Sequence, residues 1–577
     1  MRKEELVRKT GETLTNIKMI DKPKKEYNLT GKDGIWMLCI LVLYGIISFI
    51  NLGSFINPQS FWEPNKEDER ITLDFGKVVS LGRARYYCGA RFGKFELRSS
   101  TDNLRYDYME DLEEKAVFFW QDMTFEDESM RYLTITAKEP YAFMGEIQFY
   151  DKEGEILPVT VLSGSQAIVD EPSSVPEEIS YLNSTYFDEI YHARTAYEYI
   201  HGLDIYEYTH PPLGKLIMTV PIRAFGMNTF SYRLMGNIAG MLLLLVMYVF
   251  AKRIFGSTRY AALGMILFAA EGMHFVQTRI GTVDSFLVLF MFLAFLFMYQ
   301  YISMGTEASL GGKYLNLLAS GAFMGMAIAT KWNGAYCGFG LAAIFFADLI
   351  LRGKKANSYG NWRSQRRCII LWCFVCFIFI PIAIYLLSYI PFFLSDGGKG
   401  LKEWWALQQR MLRYHAELNA THPFTSPWYL WPLGIKPVWY YDGKVAEGMV
   451  SSIALHSNPI IWWVGIVGMI YACKEVIVER SKAYSFLIVA ILSVYLPYAF
   501  VPRIMFLYHY FPVVPLMILC LVGFIKMLDT KTRRPAYIWF SAVSIAAFAF
   551  FYPIYSGLLV PEWYAFLTQW LPCWQLY

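Results

Sequence analysis

The chain has 577 residues, of which 55% belong to the apolar set AVILMFWYC and only 18% are charged. Soluble domains carry about 25% charged residues, so this composition excludes an ordinary soluble enzyme and predicts a polytopic membrane protein. The 52 basic and 49 acidic residues leave a formal charge of +3, which excludes a nucleic-acid-binding protein that relies on a large basic excess.

The N-terminal segment, residues 1–34, is polar and rich in Lys and Arg. It precedes a first apolar run over 35–52, and the positive-inside rule therefore predicts that this segment lies in the cytoplasm. The basic region is long and no small-residue cleavage site follows, so the pattern is not that of a cleavable signal peptide.

Apolar runs long enough to cross a bilayer, which requires about 20 residues, follow along the whole chain. Alternation of sides places the basic loops in the cytoplasm and two large segments, about 53–233 and 391–459, outside together with the tail 558–577. The runs predict eleven transmembrane helices, near 35–52, 234–251, 260–275, 282–303, 314–330, 334–351, 368–390, 460–473, 484–500, 504–525 and 536–557.

Within the first outer segment, residues 61–170 have a different pattern. Short stretches alternate apolar and polar residues and are separated by turn residues, which is typical of an antiparallel β-sandwich. The pattern weakly resembles discoidin or carbohydrate-binding jelly rolls, so an accessory sugar-binding role and a plain structural insertion both stay open. The stretches are 71–75, 92–97, 117–120, 131–136 and 145–150.

Cysteine and histidine usage bears on metal sites. The nine cysteines lie mostly inside apolar runs, so neither a disulfide framework nor a zinc site is expected. All eight histidines fall in outer segments or at outer helix ends, which indicates either a functional concentration or simply the greater length of the outer loops. The histidines are His192, His201, His210, His274, His415, His422, His456 and His509.

An acidic pair follows the β-rich segment. Asp188 and Glu189 lie in Tyr186-Phe-Asp-Glu-Ile-Tyr-His192, and a carboxylate near an acceptor hydroxyl can act as a general base. The alternative is a solvated acidic turn. The Pro-Pro pair in His210-Pro-Pro-Leu-Gly-Lys215 restricts the backbone close to the return of the chain to the bilayer, and this favours a functional site.

The later outer turns contain further charged residues, which at a membrane face are usually paired or functional. Arg279 and Asp284 either tie a turn as an ion pair or support a site, and Lys331 follows in the next outer turn. Arg503 and His509 stand at the start of a helix, where they could bind a phosphate through charge-assisted hydrogen bonds. Snorkelling of Arg503 to the interface is the alternative.

These motifs, in this order, resemble the protein O-mannosyltransferases, which are polyprenyl-phosphate-dependent enzymes of glycosyltransferase family 39 with the GT-C fold. The resemblance covers about 180–530, and the eleven-span count agrees with it. It implies a GT-C catalytic unit over 171–557 with outer loops at 177–233 and 391–459. The matching motifs are Phe187-Asp-Glu-Ile, His210-Pro-Pro-Leu-Gly-Lys215, Arg279 with Asp284-Ser285, Lys331-Trp332, Ser426-Pro-Trp-Tyr-Leu-Trp-Pro432, Ser457-Asn-Pro459 with Trp462, and Arg503 with His509-Tyr510 and Pro512.

Two departures from the family bear on acceptor recognition. The loop 391–459 is too short for the β-trefoil MIR domain of eukaryotic members, and those members have no β-domain at the position of 61–170. We therefore expect a bacterial-type member in the plasma membrane, with its active site facing outside.

The resemblance implies an enzyme that transfers mannose, with inversion, from polyprenyl-phosphate-mannose to Ser or Thr hydroxyls of exported polypeptides. Asp188 would be the base and Glu189 would position a substrate. No metal and no obligatory cofactor are expected. Expected partners are the donor lipid, the acceptor polypeptide, membrane lipids and the secretion machinery, and no nucleic acid. The phosphate would be bound by Arg503, Arg233, Lys215 and His509, with support from His210, Arg279, Asp284, Lys331 and Asn458.

Two other functions stay open at this point. A related GT-C enzyme with another donor sugar or with a lipid or glycan acceptor would keep the same residues. A transporter is disfavoured, because the ionisable residues concentrate at one face and no internal repeat is visible.

Overall fold

The computed structural model of the protein describes residues 27–305, 308–355, 362–395, 399–532 and 534–577. The predicted cytoplasmic segment lies outside the described residues up to position 26. The chain divides into two compact units. One, the β-unit, comprises 51–207 and 217–235, and the other, the membrane-helix unit, comprises the remaining described residues.

The β-unit contains a seven-stranded antiparallel sheet, and all seven strands lie within the predicted segment 61–170. The strands are β1 (Arg70–Cys88), β2 (Lys94–Ser100), β3 (Asp107–Glu113), β4 (Phe119–Ala137), β5 (Met144–Tyr150), β6 (Ile156–Leu157) and β7 (Thr160–Ser163). Their order in the sheet is β3-β2-β4-β1-β5-β6, with β7 paired to β1.

The alternating pattern of β1 explains the core of this sheet. Ile71, Leu73 and Phe75 point to one face and are buried, whereas the residues between them are partly exposed. Two register shifts interrupt the pairing of β1 with β4, between Asp74 and Val79 and between Leu81 and Arg83. Such bulges bend and twist a strand, which allows these 19-residue strands to curve around a common hydrophobic core.

Three short strands, β8 (Val438–Ala446), β9 (Met449–Leu455) and β10 (Leu559–Pro561), form a second sheet that joins the predicted outer loop 391–459 to the C-terminal tail.

Helices make up most of the rest of the described chain. The helices are α1 (Gly31–Phe49), α2 (Glu189–His201), α3 (Leu213–Phe225), α4 (Thr229–Phe255), α5 (Thr258–Ala269), α6 (Gly272–Arg279), α7 (Asp284–Ser303), α8 (Leu310–Thr330), α9 (Ala335–Lys355), α10 (Trp362–Phe374), α11 (Ile380–Ser388), α12 (Ile390–Leu394), α13 (Leu401–Glu417), α14 (Pro459–Ile477), α15 (Lys482–Tyr495), α16 (Val514–Thr532), α17 (Ala536–Ser556) and α18 (Glu562–Leu567).

Nine helical stretches among the described residues are long and apolar enough to span a membrane. The predicted run 260–275 is instead divided between α5 and α6. The first helix ends at Ala269, and Glu271 caps the second by accepting a hydrogen bond from the His274 amide at 2.7 Å. The predicted run 314–330 falls on α8, which is 21 residues long but is not among the nine. A polytopic helical membrane fold is confirmed, whereas the count of eleven spans stays a prediction.

Helix packing in the membrane-helix unit depends on small residues, as in other membrane bundles. At Gly468 of α14, a Cβ atom would lie 2.7 Å from the Leu521 Cα of α16, so only glycine allows this close approach. The close approach that Gly468 allows packs α14 directly against α16.

Candidate active site

A cavity of 380 Å³ lies in the membrane-helix unit. Segments far apart in the sequence line it, and four predicted residues, His210, Lys331, Arg503 and His509, meet there. Trp332, Asn333, Tyr336, His415 and Tyr498 also line the wall.

Lys331 is held in the cavity wall by an ion pair. It follows the last residue of α8 in an extended conformation, and its Nζ atom lies 2.9 Å from Oδ1 of Asp284, the first residue of α7. The Asp284 carboxylate thus pairs with Lys331. The sequence alternative in which Asp284 forms an ion pair with Arg279 is therefore wrong. Because both side chains are only 10% exposed, the pair fixes the ammonium group firmly at the site.

Arg503 and Lys331 are held differently in the cavity wall. Arg503 is half-buried in the turn between the 3-10 segments Leu496–Phe500 and Leu507–Val513. Within the described part of the chain, its guanidinium group makes no hydrogen bond or ion pair. A guanidinium group carries five N–H donors in a planar fork that suits phosphate, so Arg503 can bind an anion in the cavity without losing an internal bond.

His509 belongs to an aromatic wall. Its ring stacks on Trp431 with centroids 5.8 Å apart and lies 5.4 Å from the Tyr498 ring. Asn333 donates a hydrogen bond of 2.8 Å to the Tyr498 hydroxyl and thereby links this wall to the segment after Lys331. The packing holds the imidazole of His509 in one orientation at the cavity.

His415 was not singled out from the sequence, where only its place among the outer histidines distinguished it. It lies in the last turn of α13, and its Nε2 atom is 2.7 Å from the Thr209 carbonyl oxygen. Its ring centroid lies 5.8 Å from that of His210. Burial, and then electrostatic repulsion from His210 and Arg503, lower the pKa of His415 to about 4, so the ring is neutral at pH 7.

Asp188 and Glu189 lie in the β-unit at the start of α2. Asp188 is the half-buried residue before the first helical residue, and Phe187 before it adopts a left-handed φ of 48°. Non-glycine residues rarely adopt this conformation, which is strained and often occurs at functional sites. Asp188 therefore occupies a constrained turn and not a freely solvated one.

Glu189 and Arg233 form a buried, bidentate ion pair. The Glu189 carboxylate oxygens lie 2.6 Å and 2.7 Å from Nε and Nη2 of Arg233, and both side chains are fully buried. The remaining donors of Arg233 reach backbone carbonyls of Leu52, Tyr181 and Ser184. All five N–H groups of Arg233 are thus used within the chain, which favours a structural role over the predicted binding of phosphate.

Three further predicted residues, Lys215, Arg279 and Asn458, bind backbone carbonyl groups. The bond of Lys215 is local, whereas those of Arg279 and Asn458 connect segments that are distant in the sequence and support the framework of the membrane-helix unit. The bonds run from Lys215 Nζ to His210 O at 2.9 Å, from Arg279 to Ser48 O at 3.1 Å and Ile50 O at 2.6 Å, and from Asn458 Nδ2 to Ala270 O at 2.8 Å and Ser544 O at 2.9 Å.

The electrostatics of the cavity suit an anion. Asp284 offsets one of the two permanent cations, Lys331, and Arg503 supplies a second positive charge without an internal counter-charge in the described chain. No group of three or more His, Cys, Asp or Glu side chains is arranged to hold a metal ion among the residues that the structure describes. The arrangement can bind a phosphate and stabilise negative charge that develops on it.

Comparison with known proteins agrees with the motif order. Residues 177–394 match the family model described as dolichyl-phosphate-mannose-protein mannosyltransferase, and residues 400–574 match that of the C-terminal four-transmembrane region of protein O-mannosyltransferase. The first match contains Lys331, and the second contains His415, Arg503 and His509.

The matches to two named bacterial proteins cover most of the length of each of those proteins. The polyprenol-phosphate-mannose–protein mannosyltransferase of Mycolicibacterium smegmatis is 27% identical over 453 residues, which cover 67% of this chain and 87% of that protein. The protein of the same name from Corynebacterium glutamicum is 24% identical, with coverage of 63% and 81%.

A solved structure supports the fold. The S. cerevisiae protein O-mannosyltransferase Pmt1-Pmt2 complex bound to the sugar donor matches with a TM-score of 0.60 at 14% identity, covering 68% of this chain and 89% of that chain. The resemblance deduced from the motifs is thereby confirmed. With its helical GT-C fold and its two consecutive family matches, the chain belongs to the protein O-mannosyltransferase family.

Proposed function

We propose that the protein transfers mannose from a polyprenyl-phosphate carrier to Ser or Thr hydroxyl groups of polypeptides, with inversion at the sugar. The observation that carries this proposal is the cationic cavity, in which Arg503 has no internal partner within the described chain and Lys331 is fixed by Asp284. The family match and the names of the bacterial relatives support the donor and the class of acceptor.

The cavity would bind the phosphate of the donor. Hydrogen bonds between a guanidinium or ammonium group and a phosphate are roughly twice as strong as neutral ones. The negative charge on the phosphate increases as the sugar leaves, so fixed cations stabilise the transition state more than the ground state. Arg503 would supply the bidentate contact, Lys331 a point charge, and His509 a neighbouring polar contact.

Transfer would take place in a single displacement. The acceptor hydroxyl oxygen attacks the anomeric carbon, and the bond from that carbon to the phosphate oxygen breaks, leaving its electron pair on the phosphate. The hydroxyl proton passes to the carboxylate of Asp188, which acts as the general base. One displacement inverts the anomeric configuration. Glu189, held by Arg233, would fix the turn that presents Asp188.

The proposal places this reaction at the outer face of a bacterial cytoplasmic membrane. The basic residues of the predicted cytoplasmic loops support this orientation through the positive-inside rule. Exported polypeptides would reach the site from the secretion machinery, and the lipid donor from the surrounding membrane. No cofactor or metal has a step in this mechanism, and we therefore expect transfer to continue in the presence of EDTA.

Purified full-length protein, polyprenyl-phosphate-mannose and a Ser/Thr peptide provide the test. Mass spectrometry should detect one hexose on the peptide and none on a matched peptide with Ala at each Ser and Thr. Loss of a general base costs about 10²- to 10⁴-fold in rate, so Asp188→Asn should lower transfer by at least about 100-fold at an unchanged melting temperature.

Three results would contradict parts of this proposal. Substantial transfer by Asp188→Asn would exclude Asp188 as the base. Transfer to a lipid or glycan in place of the peptide would identify a related GT-C enzyme. Transfer from a different sugar donor with polyprenyl-phosphate-mannose inactive would exclude mannose as the donor sugar.

A further inference from the structure

His415 has a fixed tautomer. Its Nε2 atom lies 2.7 Å from the Thr209 carbonyl oxygen, which can only accept a hydrogen bond, so Nε2 carries the proton. In a neutral imidazole the other nitrogen is then an acceptor. Burial, and then electrostatic repulsion from His210 and Arg503, keep the ring neutral by lowering its pKa. His415 therefore offers Nδ1 as a hydrogen-bond acceptor throughout the neutral pH range.

This acceptor points to no hydrogen-bond donor in the part of the chain that the structure describes. Among the described residues, no donor forms a hydrogen bond with His415 Nδ1, although the ring lines the cavity. The cations nearby, Arg503 and Lys331, suit a phosphate, which cannot donate a proton to Nδ1 in its ionised form. A ligand that satisfies both features carries an anion and, close to it, a hydroxyl group.

The neighbouring wall fits a sugar ring. Trp332 lies beside His415 with ring centroids 6.0 Å apart, and both residues line the cavity. The indole Nε1 donates to the Tyr385 hydroxyl at 2.9 Å, and Tyr385 in turn donates to Gln408 at 2.6 Å. These bonds fix the indole, and a rigid aromatic face with an adjacent polar acceptor can bind the apolar face and a hydroxyl group of a hexose together.

We propose that His415 recognises the sugar of the lipid donor, with Nδ1 accepting a hydrogen bond from one hydroxyl of the hexose. This inference rests on the proposed function, in which the hexose is joined directly to the phosphate that Arg503 and Lys331 bind. The hydroxyl of the acceptor polypeptide has the same chemistry. The hexose is favoured, because its hydroxyls are held within a few bonds of the phosphate.

Two substitutions of His415 test the contributions of its two ring nitrogens separately. His415→Gln places an amide N–H near the position of Nε2, so it can keep the bond to Thr209 but removes the acceptor. His415→Asn places an amide oxygen near the position of Nδ1, so it keeps an acceptor and gives up the bond to Thr209. One neutral hydrogen bond contributes about 0.5–1.5 kcal/mol, so His415→Gln should lower kcat/KM for the donor roughly 3- to 10-fold, and His415→Asn less.

Donors that lack single hydroxyl groups identify the contact. Wild-type protein should use one of the 2-, 3-, 4- and 6-deoxymannose polyprenyl phosphates about 3- to 10-fold less well than the others, because that donor cannot satisfy Nδ1. His415→Gln should lose this discrimination, while its KM for the acceptor peptide stays unchanged. His415→Asn should retain it.

The outcomes distinguish this inference from the proposed function. An identical response of the wild type and His415→Gln to every deoxy donor would overturn the role of His415 while mannose transfer by the wild type still supported the proposed function. A raised KM for the peptide with an unchanged KM for the donor would assign His415 to the acceptor and also overturn the inference. No transfer by the wild type from intact polyprenyl-phosphate-mannose would overturn both.

Discussion

Arg233 in the β-unit and Arg503 in the membrane-helix unit show opposite ways of accommodating a guanidinium group. Arg233 is fully buried, and all of its N–H groups bind Glu189 or backbone carbonyls. Arg503 lines a cavity and has no partner within the described chain. The number of internal bonds therefore separates a charge that stabilises the fold from a charge that is open to a ligand.

The largest expected effect is on the stability of the β-unit. Arg233→Met should lower the free energy of unfolding by about 3–5 kcal/mol, because it leaves the Glu189 carboxylate buried without its partner. Arg503→Met is the matched control and should change stability by less than about 0.5 kcal/mol. Thermal unfolding of the purified proteins measures both.

A second substitution sharpens this contrast. If the loss comes from the stranded carboxylate, Arg233→Met combined with Glu189→Leu should be more stable than Arg233→Met alone. Equal stability of Arg233→Met and Arg503→Met would contradict the distinction between the two arginines.

The smallest expected effect concerns pH. The pKa of His415 is about 4 in the folded protein, lowered from 6.5, so the unfolded chain binds more protons between these values. The stabilisation from neutral His415 is fully present above about pH 6.5 and is lost as the pH falls towards 4.

His415→Gln removes this contribution, so its melting temperature should fall less than that of the wild type between pH 7 and 4.5. The expected difference is on the order of 2 °C. A larger fall in the melting temperature of His415→Gln than of the wild type over this pH range would contradict the lowered pKa of His415. It would mean that protonation of the imidazole stabilises the folded protein.

The sequence predicted secondary structure correctly where a local pattern of apolar and polar residues is enough to determine it. The alternation Ile71-Thr-Leu-Asp-Phe75 identifies a strand with one buried face, and the structure places it in β1. Hydropathy alone did not predict the break at Glu271, where a helix cap divides an apolar run into two short helices. The cap depends on one hydrogen bond from a backbone amide to a side chain. A mean hydropathy over about 20 residues contains no information about such a bond.

The site was predictable to the extent that it lies in short motifs. The ordered motifs led to His210, Lys331, Arg503 and His509, which line one cavity. The partner of Arg233 is 44 residues away in sequence, so the sequence could not show that its guanidinium group is already bound. His415 stands in a helix with no motif around it, and only the fold shows that it lines the cavity and that its Nε2 atom bonds the Thr209 carbonyl.

Steady-state kinetics of Arg503→Met test the central claim most directly. A charge-assisted hydrogen bond contributes about 1.5–3 kcal/mol, so kcat/KM for polyprenyl-phosphate-mannose should fall roughly 10- to 100-fold, while the KM for the acceptor peptide and the melting temperature stay unchanged. An unchanged kcat/KM for the donor, or a raised KM for the acceptor peptide with an unchanged KM for the donor, would contradict the assignment of this cavity to the donor phosphate.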